Sequence, residues 1–276
     1  MAITRSIFYT NMPVVAMKES FAKNAKVVSQ TYYGEEVEIV ERERDWCKIR
    51  TKDDQYVGWV QINTLIDFFG YYAYTDRFVK IDRGAAHIYE VKDTEYGPKC
   101  TLPYGCHLKV VDESDQRWLQ VILLNGEKVY VQRGDVTFDH KQLTLLDLIS
   151  FSKKFLDLPY TWGGRTSFGF DCSGFVQFLL RQIGILIPRD SKDQYTSDTF
   201  ESIDLKDVRA GDVLFFGFDA EKIRHVVFCH DNQTFIHTSV RENKPYLRMS
   251  SVKDKEWSGS SEAYYPFRAA KRLITS

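Results

Sequence analysis

Polar and apolar residues alternate through the first half of the chain with the two-residue period of β-strands. Val37-Glu38-Ile39-Val40 shows it, as do Trp46 through Thr51 and Tyr56 through Val60. Tyr33-Gly34 and Lys52-Asp53-Asp54 separate these runs as turns. Short strands at this spacing predict a small barrel. The order then recurs about 70 residues later. Tyr104-Gly105-Cys106-His107-Leu108-Lys109-Val110-Val111 echoes Tyr33 through Val40, and Trp118-Leu119-Gln120-Val121 echoes Trp46 through Ile49. Gly58-Trp59-Val60-Gln61 matches Val129-Tyr130-Val131-Gln132 less well. A glycine turn, a strand, a polar loop, a Trp-led strand and a hairpin therefore occur twice.

After residue 140 the period changes. Leu143, Leu145, Leu146, Leu148 and Ile149, followed by Phe151 and Phe155, predict a helix over 143–156. A Tyr-Thr-Trp-Gly-Gly loop follows. Residues 172–183 read as a buried helix, with Asp171 at its N-cap and Gly184 at its end. Beyond Asp212 strands return, over 213–218, 224–230 and 234–239. Asp231-Asn232-Gln233 closes a hairpin between the last two. Helices followed by strands predict an α+β domain over 140–276.

The 276 residues carry 37 basic and 38 acidic side chains. Such balance argues against a protein held to nucleic acid or anionic lipid by bulk charge. No Lys/Arg stripe interleaved with aromatics stands out. Aromatics make up 14% of the chain, enough apolar surface to exclude intrinsic disorder. The apolar runs, Val226 to Phe228 and Val213 to Phe216 among them, are strand-sized, far below the roughly 20 residues of a membrane helix. The N-terminus lacks the apolar core of a signal peptide. The expectation is a cytoplasmic protein whose five cysteines are thiols. Five is odd, so at least one cannot pair within the chain. Lys253-Asp254-Lys255-Glu256 reads as a solvated surface run.

Cys172 is the first candidate for chemistry. In the first turn of a helix, free N–H groups and the positive dipole end favour a thiolate, the nucleophilic form. The alternative is a small buried hydrophobe. His225 and His237 bear on that choice. If Asp231-Asn232-Gln233 is the loop, Val227 faces His237, and the two histidines are diagonal neighbours on one face, ~7–8 Å apart at the backbone. One could take the cysteine proton while the other orients it. A zinc site from Cys172, His225 and His237 with Cys229 or His230 is the competing arrangement, but the close-spaced ligand pairs of structural zinc sites are missing. Gly163-Gly164-Arg165-Thr166-Ser167-Phe168-Gly169 is neither a P-loop nor a dinucleotide fingerprint. It suits a loop whose backbone closely approaches the nucleophile or substrate.

Taken in order, Tyr160-Thr161-Trp162-Gly163-Gly164, Phe170-Asp171-Cys172-Ser173-Gly174-Phe175, Gly211-Asp212-Val213-Leu214-Phe215-Phe216, His225-Val226 and Ile236-His237 resemble the NlpC-type papain-like cysteine peptidases of bacterial cell-wall metabolism. His225-Val226-Val227 lacks the glycine that many members carry after the valine. The repeat ahead of this domain resembles the paired SH3-like domains of one subgroup, which cleaves the γ-D-glutamyl bond to meso-diaminopimelate or lysine in free murein peptides. The resemblance implies an α+β fold with two small SH3-like β-barrels over 1–70 and 71–139, then a papain-like peptidase domain over 140–276.

It also implies roles. Cys172 is the nucleophile, His225 the general base and His237 the residue that orients it. Asp171 and Ser173 fall where the subgroup binds the free amine of the N-terminal L-Ala. Arg189, Asp190 and Ser191 match a segment on the far side of the cleft. Tyr160 and Trp162 match an aromatic pair lining the pocket, the tyrosine facing the oxyanion. Tyr56 and Glu19 match residues of the first SH3-like domain that close the cleft. No metal or other cofactor is implied. The expected partner is a murein peptide, L-Ala-γ-D-Glu-diamino acid, cleaved during cell-wall peptide recycling. A peptide without a free amine would leave the Asp171 carboxylate unpaired, at roughly 2–5 kcal/mol for a broken buried pair. The alternatives are a non-catalytic peptidoglycan-binding module and an autolysin acting on intact peptidoglycan.

Overall fold

The computed structural model describes residues 7–67, 77–139, 141–257 and 265–274. The chain divides into two compact units, one of residues 1–141 with 166–168 and one of residues 142–165 with 169–276. The expected junction near residue 70 lies outside the described residues.

The first unit begins with β1 (Ile7–Thr10), β2 (Val14–Lys18), β3 (Val27–Tyr32), β4 (Glu36–Glu43), β5 (Trp46–Thr51), β6 (Val57–Gln61) and β7 (Leu65–Asp67). It continues with β8 (Phe78–Ile81), β9 (Ala85–Tyr89), β10 (Cys100–Pro103), β11 (His107–Asp112), β12 (Trp118–Ile122), β13 (Lys128–Gln132) and β14 (Val136–Thr137). The first sheet runs β3-β2-β6-β5-β4-β1-β7 and the second β10-β9-β13-β12-β11-β8-β14. Strand for strand the two orders are the same, so the faint sequence repeat is a full repeat of topology. Gly34 and Gly105, at φ +81° and +89°, make the matching turns, and Trp46 and Trp118 open the matching strands β5 and β12.

The repeat is weakest at Gly58 for a packing reason. A Cβ there would lie 2.9 Å from Met17 Cβ, whereas its counterpart Val129 fills the second core. Met17, Val37, Cys47, Ile49 and Val60 form the first core. Tyr33 leaves its own barrel to join the second core, and its hydroxyl accepts from the Leu124 N–H at 2.6 Å.

The second unit opens with α1 (Leu145–Ser152). It starts two residues later than the apolar pattern predicts, because Thr144 and Asp147 form a reciprocal capping box. Short strands β15 (Arg165–Thr166) and β16 (Gly169–Phe170) precede α2 (Cys172–Arg181), and α3 (Ser191–Thr196) follows. A six-stranded antiparallel sheet is built from β17 (Phe200–Ile203), β18 (Val213–Gly217), β19 (Ile223–Cys229), β20 (Thr234–Ser239), β21 (Tyr246–Ser251) and β22 (Phe267–Leu273), in the order β17-β22-β18-β19-β20-β21. Phe151, Phe155, Phe170, Phe175 and Phe178 lock α1 and the loop onto α2, with centroids 4.9–6.1 Å apart. Leu214, Phe216, Val227, Cys229, Phe235 and Ala270 share one sheet face under Trp257. Among the described residues no helix is long and apolar enough to cross a membrane.

Candidate active site

Cys172 is the first residue of α2, and the cap before it is well made. The Asp171 carboxylate accepts from the Gly174 N–H at 2.8 Å, and the Asp171 N–H donates to the Gly164 carbonyl at 3.0 Å. Glycine is required where the loop crosses the helix. A Cβ on Gly174 would lie 2.1 Å from the Gly164 oxygen, and one on Gly164 would lie 2.4 Å from the Gly169 oxygen. The glycine-rich segment therefore lies against the first turn of α2.

The hairpin of β19 and β20 has the register that a three-residue loop dictates. Phe228 faces Ile236 and Cys229 faces Phe235. His225 and His237 fall on one face, and their rings meet with His225 Nε2 2.9 Å from His237 Nδ1. His237 Nε2 in turn lies 2.9 Å from Ser250 Oγ on β21. Trp257 stacks on His225 at 4.9 Å and 26° and stands edge-on to His237 at 4.9 Å. Both histidines and Trp257 are buried. The backbone N–H of Val226, the residue after His225, donates to the Cys172 sulfur. Ser250 and Trp257 carry no sequence signal of their own. Trp257 ends the charged run 253–256, which is otherwise solvent-facing.

The electrostatics correct one expectation. Burial, with the Asp171 carboxylate alongside, pushes the Cys172 thiol up to about 12, against the pull of the Val226 N–H, Arg189 and the Ser173 N–H. Burial, then Arg248 and Arg241, pushes His225 down to about 3. Burial, then His225 and Arg248, holds His237 well below the ordinary imidazole range. Both shifts favour a thiol and a neutral imidazole over the expected thiolate. Desolvation outweighs the helix terminus.

A second correction concerns Asp171. Its carboxylate accepts from Arg189 Nη1 at 3.0 Å and Nη2 at 2.6 Å, from the Gly163 N–H at 3.0 Å and from Ser173 Oγ at 3.3 Å. Arg189 Nη1 also donates to Ser173 Oγ at 2.9 Å. Arg189 is 2% exposed, so this is a buried, bidentate ion pair. The carboxylate is not left unpaired without a substrate amine, and the expected penalty does not arise in that form.

The remaining candidates differ in burial. Tyr160 is half-buried, and burial, with Cys172 and Asp171 nearby, raises its hydroxyl pKa. Trp162 points outward, 68% exposed. Asp190 stands at the N-cap of α3 and Ser191 opens it, both partly exposed. Gln194 of α3 is buried and donates to the Ser173 carbonyl at 3.0 Å and to that of Pro188 at 2.9 Å. Tyr56 and Glu19 belong to the first unit. Tyr56 packs partly buried against the first barrel's core, and Glu19 is exposed, accepting from the Lys26 N–H at 3.4 Å. All five cysteines are free. Among the described residues no group of three or more His, Cys, Asp or Glu side chains is placed to hold a metal ion.

Comparison with known proteins bears on this geometry. Residues 157–262 match the NlpC/P60 family, and residues 20–65 match the bacterial dipeptidyl-peptidase Sh3 domain. The γ-D-glutamyl-L-lysine dipeptidyl-peptidase of Bacillus cereus is 31% identical over 228 residues, spanning 77% of this chain and 67% of that protein. The chain belongs to the NlpC/P60 family. A second such relative, the γ-D-glutamyl-L-lysine dipeptidyl-peptidase of Bacillus subtilis, is 30% identical over 212 residues, 72% of this chain and 68% of that protein. The crystal structure of an NlpC/P60 family protein from Bacillus cereus superposes with a TM-score of 0.81, covering 98% of this chain and 100% of that one at 23% identity, which supports the fold. As an NlpC/P60 peptidase the protein is a hydrolase, with SH3-like barrels ahead of the peptidase domain.

Proposed function

We propose that this NlpC/P60 protein is a cysteine peptidase that hydrolyses the γ-D-glutamyl bond to L-lysine or meso-diaminopimelate in murein peptides with a free N-terminal L-Ala, in cytoplasmic recycling of cell-wall peptides. The observation that carries the reading is the buried 2.9 Å contact between His225 Nε2 and His237 Nδ1, with Val226, the residue after His225 on its strand, acting on the Cys172 thiol through its backbone N–H. The names of the relatives supply the bond, and the free thiols accord with a reducing compartment.

In this reading the chemistry starts from the neutral pair. His225 Nε2 is engaged by His237, so Nδ1 is the nitrogen that takes the Cys172 proton as sulfur attacks the γ-carbonyl carbon. The tetrahedral oxyanion forms near Tyr160, whose raised pKa keeps its hydroxyl protonated and able to donate. His225 returns the proton to the departing α-amine of the diamino acid, leaving a thioester on Cys172. Water, deprotonated by His225, then attacks the thioester carbonyl, the C–S bond breaks to release the acyl peptide as its carboxylate, and His225 returns the proton to the Cys172 sulfur.

Asp171 and Ser173 are the proposed contacts for the L-Ala ammonium, with Tyr160 and Trp162 lining the pocket and Asp190 and Ser191 on the far side of the cleft. Arg189 already neutralises Asp171, so a third charge would share that carboxylate. Selectivity for a free amine from this pair alone is therefore weaker than a bare carboxylate would give.

The test is incubation with L-Ala-γ-D-Glu-L-Lys and with its meso-diaminopimelate counterpart, reading free diamino acid. Wild type should release it, and Cys172→Ala should lose at least roughly a thousandfold in rate. Equal release by both proteins would refute the mechanism. Efficient cleavage of the N-acetylated peptide or of whole sacculi would indicate an autolysin. Tight binding to sacculi without hydrolysis would indicate a wall-binding module.

A further inference from the structure

The contact between His237 and Ser250 has a consequence for the direction in which the histidine pair can pass a proton. This inference rests on the catalytic reading of Cys172 and His225. Two neutral imidazoles joined by one hydrogen bond can hold its proton in two ways. If His237 Nδ1 carries it and donates to His225 Nε2, the remaining proton of His225 sits on Nδ1, and His225 cannot act as a base there. If His225 Nε2 carries it and donates, Nδ1 keeps its lone pair. Burial holds both rings neutral, so the choice is one of tautomer, not of charge.

The third member of the row bears on it, since a serine hydroxyl there can accept from a protonated His237 Nε2 or donate to a bare one. Ser250 Oγ lies 2.9 Å from His237 Nε2, and β20 pairs with β21 so that Phe235 faces Ser250 and His237 faces Arg248. Ser250 is thus the diagonal neighbour of His237 on the same sheet face, as His237 is of His225. We propose that Ser250 is a positioning residue that sets the proton polarity of the His225–His237 pair. In the polarity proposed, its hydroxyl accepts from the His237 Nε2–H, so His237 Nδ1 only accepts, His225 Nε2 donates, and His225 Nδ1 is left free to take the thiol proton. Trp257, stacked on His225 at 4.9 Å, packs on the ring face and opposes a half-turn about Cβ–Cγ, which would put carbon where Nδ1 and Nε2 now stand. Ser250 touches neither the nucleophile nor substrate in this scheme.

The experiment compares wild type, Ser250→Ala and Ser250→Thr. Threonine keeps the hydroxyl and suits a strand. The readouts are kcat and KM on L-Ala-γ-D-Glu-L-Lys, and the imidazole 15N signals of His225 and His237. Ser250→Ala should lower kcat by roughly tenfold to a hundredfold with KM nearly unchanged, by analogy with the loss of other residues that orient histidines. Ser250→Thr should restore most of it. In wild type both rings should show Nε2 protonated, and in Ser250→Ala the tautomers should mix.

The proposal is overturned if Ser250→Ala retains wild-type kcat with unchanged tautomers. It is also overturned if kcat falls without a tautomer change and Ser250→Thr does not rescue it, since that marks a structural role. If no variant, wild type included, releases lysine while the tautomers still change in Ser250→Ala, the catalytic reading fails and the proton relay stands.

Discussion

Two buried polar clusters of the second unit are built on opposite principles. On the helix side, Asp171, Ser173 and Arg189 form a charged cluster whose carboxylate is filled by the guanidinium, a hydroxyl and backbone N–H groups. On the sheet side, His225, His237 and Ser250 form a neutral row held by two contacts of 2.9 Å. The first cluster has spent its acceptors on neighbours and so fixes geometry. In the second, the proposed polarity leaves one lone pair, on His225 Nδ1, open. A buried network is rigid where it is satisfied and reactive where one site is left open. Proximity alone therefore does not assign a role, whereas the bonds already made do.

The largest effect that would break this comparison is at Arg189. Arg189→Ala leaves the Asp171 carboxylate buried and uncompensated, and urea unfolding should show a loss of about 3–5 kcal/mol. Arg189→Met together with Asp171→Asn removes both charges and should recover much of that. If the single variant is as stable as wild type, the cluster is not structural and its charge is available to substrate.

The histidine side should show itself through pH. Both rings protonate at lower pH folded than unfolded, so as pH falls the unfolded chain takes up protons first. The stability that His225 holds is whole above about 6.5 and is lost as pH drops toward 3, with a slope of about 1.4 kcal/mol per pH unit, and His237 acts in the same direction. Denaturant midpoints from pH 7 to 4 should fall more gently for His237→Gln than for wild type. Identical slopes would mean that the rings are not buried neutral.

The smallest effect lies away from both clusters. Thr144→Ala removes the capping box of α1 and should cost about 1 kcal/mol, without changing kcat. A change in kcat there would mean that α1 takes part in setting the site.

Much of this was legible in the sequence because local rules decide it. Asp171, Cys172 and Gly184 mark the ends of one helix, and a three-residue loop fixes which face carries His225 and His237. The barrel repeat was legible through its glycine turns and Trp-led strands, and faded at Gly58, where Met17 leaves no room for a side chain. What escaped depends on contacts distant in sequence. A lone serine on β21 and a tryptophan closing a charged run give no sign that they meet two histidines. Arg189 resembled a cleft residue, and only the fold shows its guanidinium on Asp171. The thiolate expectation weighed the helix terminus and missed burial, which is a property of packing.

The central claim is that Cys172, beginning as a neutral thiol, becomes the acylated nucleophile. The most direct measurement is an acid quench during turnover of L-Ala-γ-D-Glu-L-Lys, followed by intact-mass and peptide mass spectrometry. The account predicts an L-Ala-γ-D-Glu adduct on the peptide containing Cys172, lost on treatment with hydroxylamine and absent in Cys172→Ala. Steady lysine release by Cys172→Ala at the wild-type rate, with no adduct on either protein, would contradict it.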